Sequence, residues 1–192
     1  KTNLFKNLKI QTEENIFFER HCRTHPVLHL DFGSVRGGCF AGVKKHLAVI
    51  LAVNGAFVEH KYVVKKTDNG TLVWASEKLK NVDINVKTFG KYIDREECTM
   101  SDEVDLKYSL KFLSEVLHAY YEEKVFILID EYDALTMNMV FGKCSNKDDI
   151  DLMVEFLKCF MANTLKFNNF VKRSLIFACD RLSGAFSGDS TR

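Results

Sequence analysis

The stretch KVFILIDEYD, Lys124 to Asp133, decides the fold. An unbroken apolar run, Val125 to Ile129, leads straight into the adjacent carboxylates Asp130 and Glu131, and Asp133 follows in the same short motif. The run is too short for a helix and partly β-branched. That fits a strand covered on both faces at the centre of a parallel sheet. Ligands of open parallel sheets bind beyond the C-terminal ends of the strands, where these acids stand. As a strand ends, its side chains fan apart, so neighbouring acids can take separate tasks. One can hold the water shell of a magnesium ion, and the next can orient or deprotonate an attacking water. The same sequence also fits a strand that merely ends in a solvated polar turn.

Outward from this strand, the other segments supply the partners of a parallel sheet. VLHLDF (27–32) reads as a second buried strand with Asp31 at its C-terminal end, after Pro26 has forced extended geometry on its predecessor. RSLIFA (173–178) reads as a third. Between them lie helical patterns. Residues 12–20 have acids in the first turn and Arg20 at the end. Residues 38–58 carry Phe40, Val43, Leu47, Ile50, Leu51, Phe57 and Val58 at helical spacing, with Asn54 on the same stripe. Leu106, Leu110, Leu113 and Leu117 form a clean stripe in a helix that Ser101 can cap. Ile150, Met153, Leu157, Phe160, Met161, Thr164 and Leu165 give the core face of a helix over 147–167. Asn69-Gly70 marks a reversal. Residues 76–97 fit a helix, although Val82, Ile84 and Val86 also alternate. Strands alternating with long helices imply an α/β fold, a parallel sheet flanked by helices. The expected organisation is one domain over 1–192 with a helical insert around 60–100.

A nucleotide-binding sheet of this kind needs a phosphate loop, G-x-x-x-x-G-K-[S/T], between a strand and a helix. Gly37 and Gly42 supply the glycines, but Val43 stands in the lysine's place, and Lys45 in that of the magnesium-binding hydroxyl. Lys44 is one position late, and that turns its side chain by about 100° on a helix. The stretch reads as a turn entering a helix. His21, His25 and His29, with Cys22, do not read as metal ligands, because Pro26 separates a helix from a strand among them. No nucleophile-elbow sequence supports a hydrolase triad.

Bulk properties narrow the class further. The chain has 192 residues, 46% apolar and 28% charged, with a formal net charge of +1. That is enough for one domain with a real core. It provides no basic footprint for nucleic acid, and no groove-reading motif is present. No apolar run approaches the ~20 residues of a membrane span. The six cysteines are scattered, without a C-x-x-C pair, as in reduced thiols of an intracellular protein, cytoplasmic or nuclear.

LFKNLKI (4–10), HPVLHLDFGSV (25–35), KVFILIDEYDAL (124–135) and SLIFACDRLSGAFSG (174–188) together resemble the AAA-ATPase-like family, over nearly the whole chain and in the family's order. That family resembles P-loop ATPases, and its ATPase domain is often followed by a PD-(D/E)XK nuclease-like domain. The resemblance implies a P-loop NTPase-like sheet, incomplete at the N-terminus, whose phosphate loop lies upstream of LFKNLKI, before Lys1. It implies ATP and Mg²⁺ as the full-length protein's ligands. It implies Asp130 as the magnesium-associated acid and Glu131 as the water-orienting catalytic acid. Asp133 belongs to the motif, and Arg181 or Ser183 stands where phosphate is contacted. Ala178, Cys179 and Asp180 replace the threonine-glycine pair more usual after the last strand, and GDSTR replaces an asparagine-rich continuation. The alternative is a catalytically dead scaffold or protein-interaction module that keeps the sheet.

Overall fold

The computed structural model describes residues 8–22, 24–33, 47–94, 102–134 and 147–178. Its elements in chain order are helices α1 (Lys9–Thr12) and α2 (Asn15–His21), strand β1 (Val27–Asp31), helix α3 (Leu47–Glu59), strands β2 (Val64–Lys66) and β3 (Leu72–Trp74), helices α4 (Glu77–Lys80), α5 (Val86–Asp94) and α6 (Glu103–Tyr121), strand β4 (Val125–Asp130), helix α7 (Lys147–Met161) and strand β5 (Val171–Ile176).

The sheet has the order β1-β4-β5, and both pairings are parallel. The strand of the opening stretch is therefore central, as its apolar run requires. Val125, Ile127 and Ile129 are fully buried. Leu28 and Leu30 of β1 are register partners of Ile127 and Ile129, so these side chains share one face. Helix α3 packs on β1, and α6 packs on β4, on α3 and on α7. The leucine stripe of α6, Leu106, Leu110, Leu113 and Leu117, is wholly buried, and Phe57, Phe89 and Phe160 complete the core.

The outer strands differ from expectation. The composition of β1 predicts burial, but the strand alternates, with Val27, His29 and Asp31 exposed. It is an edge strand among the described residues and is covered on one face. β5 begins two residues earlier than expected, and nearly all of it is exposed.

The helical stretches are also more broken than the periodicity predicts. The short helix expected over 12–20 is α2, which starts later, at Asn15, and a separate single turn, α1, precedes it and ends at Thr12. The helix expected over 38–58 is described only from Leu47, and Val58, expected on its apolar stripe, is 39% exposed. The reversal at Asn69-Gly70 joins β2 to β3 as an antiparallel hairpin, with Gly70 at φ +76°. The single helix over 76–97 is replaced by α4 and α5. Between them, the Ile84 carbonyl accepts from the Trp74 indole N–H at 3.1 Å, and the Asn85 side chain accepts from the Lys87 N–H at 2.9 Å at the start of α5. The N-cap of α6 is Asp102, whose Oδ1 accepts from the N–H groups of Val104 and Asp105. Ser101 lies outside the described residues. α7 ends at Met161 and passes into a π-helical turn, Ala162–Lys166. Phe156, which does not belong to the core face expected of that helix, is buried.

Candidate functional site

Two strands bring their acids to one rim of the sheet. Asp31 ends β1 and Asp130 ends β4, and the two are register partners. Both side chains are engaged with backbone. Asp31 Oδ1 accepts from the Gly33 N–H at 2.7 Å, and Asp130 Oδ1 accepts from the Glu131 N–H at 2.9 Å. The Phe32 N–H donates to the Asp130 carbonyl at 3.1 Å, which extends the β1–β4 pairing by one bond past the last strand residue.

Glu131 is where the chain leaves the sheet. Its φ is +48°, the left-handed region that side-chain-bearing residues rarely enter. Such strain costs about 1–2 kcal/mol and tends to collect at functional sites. The turn beyond is fixed by the Ala134 N–H, which donates to the Glu131 carbonyl at 2.9 Å. On the other side, the Tyr132 N–H donates to the Phe177 carbonyl at 3.1 Å, and the Phe177 N–H to the Ile129 carbonyl at 2.8 Å. Glu131, Tyr132 and Asp133 are half-buried, and Asp130 is exposed.

The structure thus brings together Asp130, Glu131 and Asp133, as the sequence places them, and adds two residues. Sequence reasoning gives Asp31 only as a strand end and does not single out Gly33. The signal for both is the D-F-G sequence directly after an apolar strand. Carboxylate oxygens are the donors that suit a hard cation such as Mg²⁺, which keeps much of its water and takes one or two carboxylates. The second oxygens of Asp31 and Asp130 meet that requirement in chemical type.

Arg181, Ser183, Asp180 and the Gly37–Gly42 turn lie outside the described residues. Ala178, also expected near phosphate, is exposed just past β5 and carries no polar side chain. His25 sits at the opposite end of the sheet, where its Nδ1 is 3.2 Å from Glu123 and its Nε2 is 2.9 Å from the Lys172 ammonium. Among the described residues, no group of three or more His, Cys, Asp or Glu side chains is arranged to hold a metal ion. Cys22 and Cys159 are free thiols. An apolar groove of about 420 Å³ lies in the insert, lined by Trp74, Leu79, Val82, Ile84 and Val86 among others, and includes none of the strand-end acids. No helix among the described residues is long and apolar enough to cross a membrane.

Among the described residues, a three-stranded parallel sheet flanked by helices, with acids at the C-terminal end of its central strand, is an α/β arrangement consistent with a P-loop-like fold. The family model described as AAA-ATPase_like, predicted AAA-ATPase, matches residues 1–183, and the chain belongs to that family. Neither the curated proteins nor the solved structures include a significant match to it.

Proposed function

We propose that this chain is part of an ATP-binding and ATP-hydrolysing domain, to which it contributes the acidic strand that handles magnesium and water. The observation that carries this reading is the central strand β4, parallel to both neighbours, which ends in Asp130 beside Asp31 and turns sharply at Glu131.

Asp130, seconded by Asp31, is proposed to hold the magnesium ion through its water shell. The ion would neutralise charge on the phosphates. Glu131 is proposed to orient the attacking water and accept its proton. The left-handed turn supports this role, because it bends the chain out of the strand at this residue and its backbone is held by hydrogen bonds on both sides. Catalysis of this kind is positioning and charge stabilisation. Asp133 and Arg181 are assigned to the nucleotide side of the site. The phosphate loop is proposed to come from a strand upstream of Lys1 that pairs with the open edge of β5. In support, β5 pairs only with β4 among the described residues.

The test is Glu131→Gln in the full-length protein. Steady-state hydrolysis falls about 100-fold or more while ATP affinity is kept. Hydrolysis that survives the change undiminished removes Glu131 from the chemistry. The isolated 192-residue chain is expected not to bind ATP tightly, since much of nucleotide affinity resides in the phosphate loop. Millimolar or tighter Mg-ATP binding by calorimetry overturns that placement. The scaffold reading draws support from Ala178, where a polar γ-phosphate sensor would be expected. Full-length protein that never hydrolyses ATP decides for it.

A further inference from the structure

We propose that Gly33 is a positioning residue for Glu131. The missing side chain at the end of β1 leaves the space in which the Glu131 carboxylate rests. The proposal deepens the reading of Glu131 as the water-orienting acid, and it rests on that reading.

Glycine at a strand end ordinarily serves a backbone that needs positive φ. That need is absent here. Among the described glycines only Gly70 has positive φ, so the Gly33 backbone is not left-handed. What the position requires is the absence of Cβ. A β-carbon built on Gly33 would stand 2.7 Å from Glu131 Oε1 and closer still to the other two carboxylate atoms. The carboxylate therefore lies against the backbone of the neighbouring strand's end.

The hydrogen bonds around the contact hold both partners. Gly33 is held by its N–H, which donates to Asp31 Oδ1, and the residue before it is tied to the Asp130 carbonyl. Glu131 is held by its own N–H on Asp130 Oδ1 and by its left-handed turn. Two adjacent strand ends, each locked by its terminal aspartate, thus face one another across a gap that only glycine leaves open.

A methyl group at position 33 meets the far end of a flexible side chain rather than backbone. The carboxylate swings away, and the fold is kept. The consequence falls on the orientation of the attacking water. A displacement of about 1 Å in a catalytic group costs on the order of a hundredfold in rate.

The experiment is a kinetic cycle in the full-length protein, comparing wild type, Gly33→Ala, Glu131→Gln and the double variant. Thermal melts and the affinity for a non-hydrolysable ATP analogue are measured on each. The expected result is that Gly33→Ala lowers kcat by about tenfold to a hundredfold with KM, analogue affinity and melting temperature unchanged. In the Glu131→Gln background, Gly33→Ala has no further effect on the residual rate. If the rate falls with Glu131→Gln but not with Gly33→Ala, the positioning role is overturned and the reading of Glu131 stands. If Gly33→Ala lowers rate or melting temperature equally in both backgrounds, glycine serves the fold alone and the proposal is overturned. If Glu131→Gln leaves hydrolysis intact, the catalytic reading fails and takes the positioning role with it.

Discussion

Asp31 and Asp130 end adjacent parallel strands as direct register partners, and each turns one carboxylate oxygen onto a backbone N–H just beyond its strand. Neighbouring strands run about 4.8 Å apart, so two formal negative charges face each other at the rim of the sheet. Like charges in facing positions destabilise a strand pair. Asp31→Asn keeps an oxygen to accept from Gly33 and removes one charge. Its expected effect is a gain of about 0.2–1 kcal/mol in urea denaturation at low ionic strength. The gain shrinks as salt is raised toward physiological strength, because exposed charges are screened. A loss of stability that ignores salt would show that the two charges do not oppose one another.

The central strand is the most legible part of the fold, because an apolar run too short for a helix can bury itself in few ways except as a strand between two others. The α6 leucine stripe is equally clear, and all four leucines are fully buried. The composition of β1, VLHL, suggests full burial and does not reveal that the strand is covered on only one face. The break between α4 and α5 coincides with a tertiary hydrogen bond from Trp74 to Ile84 and with the Asn85 side chain accepting from the Lys87 N–H, neither of which hydrophobic periodicity registers. β2 and β3 escape sequence reasoning because three residues each, with lysines in β2, are too few to show alternation. At the site, Asp130, Glu131 and Asp133 fall within one short motif and stand out. The contact between Glu131 and Gly33 joins residues far apart in sequence and has no local signature.

Glu122 closes α6 with φ +61° in the left-handed region, and its N–H donates to the His118 carbonyl. This is the position where glycine is preferred, since it lacks the Cβ penalty. Its carboxylate also meets the Lys78 ammonium at 2.6 Å, but that pair is solvent-exposed and worth about 0–1 kcal/mol. Relief of the backbone, about 1 kcal/mol, is the larger effect. Glu122→Gly is therefore expected to hold or raise stability by up to about 1 kcal/mol in urea denaturation. A drop of that size would mean that the Lys78 pair outweighs the backbone strain.

His60 ties the end of α3 to the start of the sheet. Its Nε2 lies 3.1 Å from the Val27 carbonyl and so carries the proton, leaving Nδ1 to accept from the Tyr62 hydroxyl at 2.9 Å. The Tyr62 oxygen is in turn 2.8 Å from the Tyr121 hydroxyl. Burial pushes the His60 pKa below the ordinary 6.5, against smaller opposing effects of the Val27 carbonyl and Glu59. Burial also pushes the Tyr62 phenol well above its ordinary range, so it remains a donor. The folded protein therefore holds His60 neutral at pH values where the unfolded chain has begun to protonate it. Below about pH 6.5 the unfolded state binds more protons, and stability falls with falling pH until the lower folded pKa is passed. Chemical denaturation at about pH 7.5 and about pH 5.5, on either side of the ordinary histidine value, should show this loss, and His60→Gln should reduce the difference between the two. An unchanged difference in the variant would assign the pH dependence to other groups.

Asn54 supplies the most demanding test of the buried polar structure. Its stripe position in α3 puts it in the core, and it is buried there among apolar neighbours. Its side-chain amide donates to the Tyr92 carbonyl at 2.7 Å and to the Ile93 carbonyl at 3.1 Å. These are carbonyls of the last turn of α5, which have no partner within the helix. One NH₂ group thereby closes α5 and fastens it to α3. Asn54→Asp preserves shape but replaces the NH₂ group, and with it both donors, by an oxygen that faces two carbonyl oxygens. The variant must either hold a buried charge without a counterion or give up both bonds. The expected cost is about 3 kcal/mol or more by urea denaturation. Asn54→Leu removes the polar group altogether and leaves only the carbonyls unpaired, so it is expected to cost less than the aspartate. If the aspartate proves the milder of the two, a proton shared with a backbone carbonyl has replaced the amide, and its stability would then fall as pH rises.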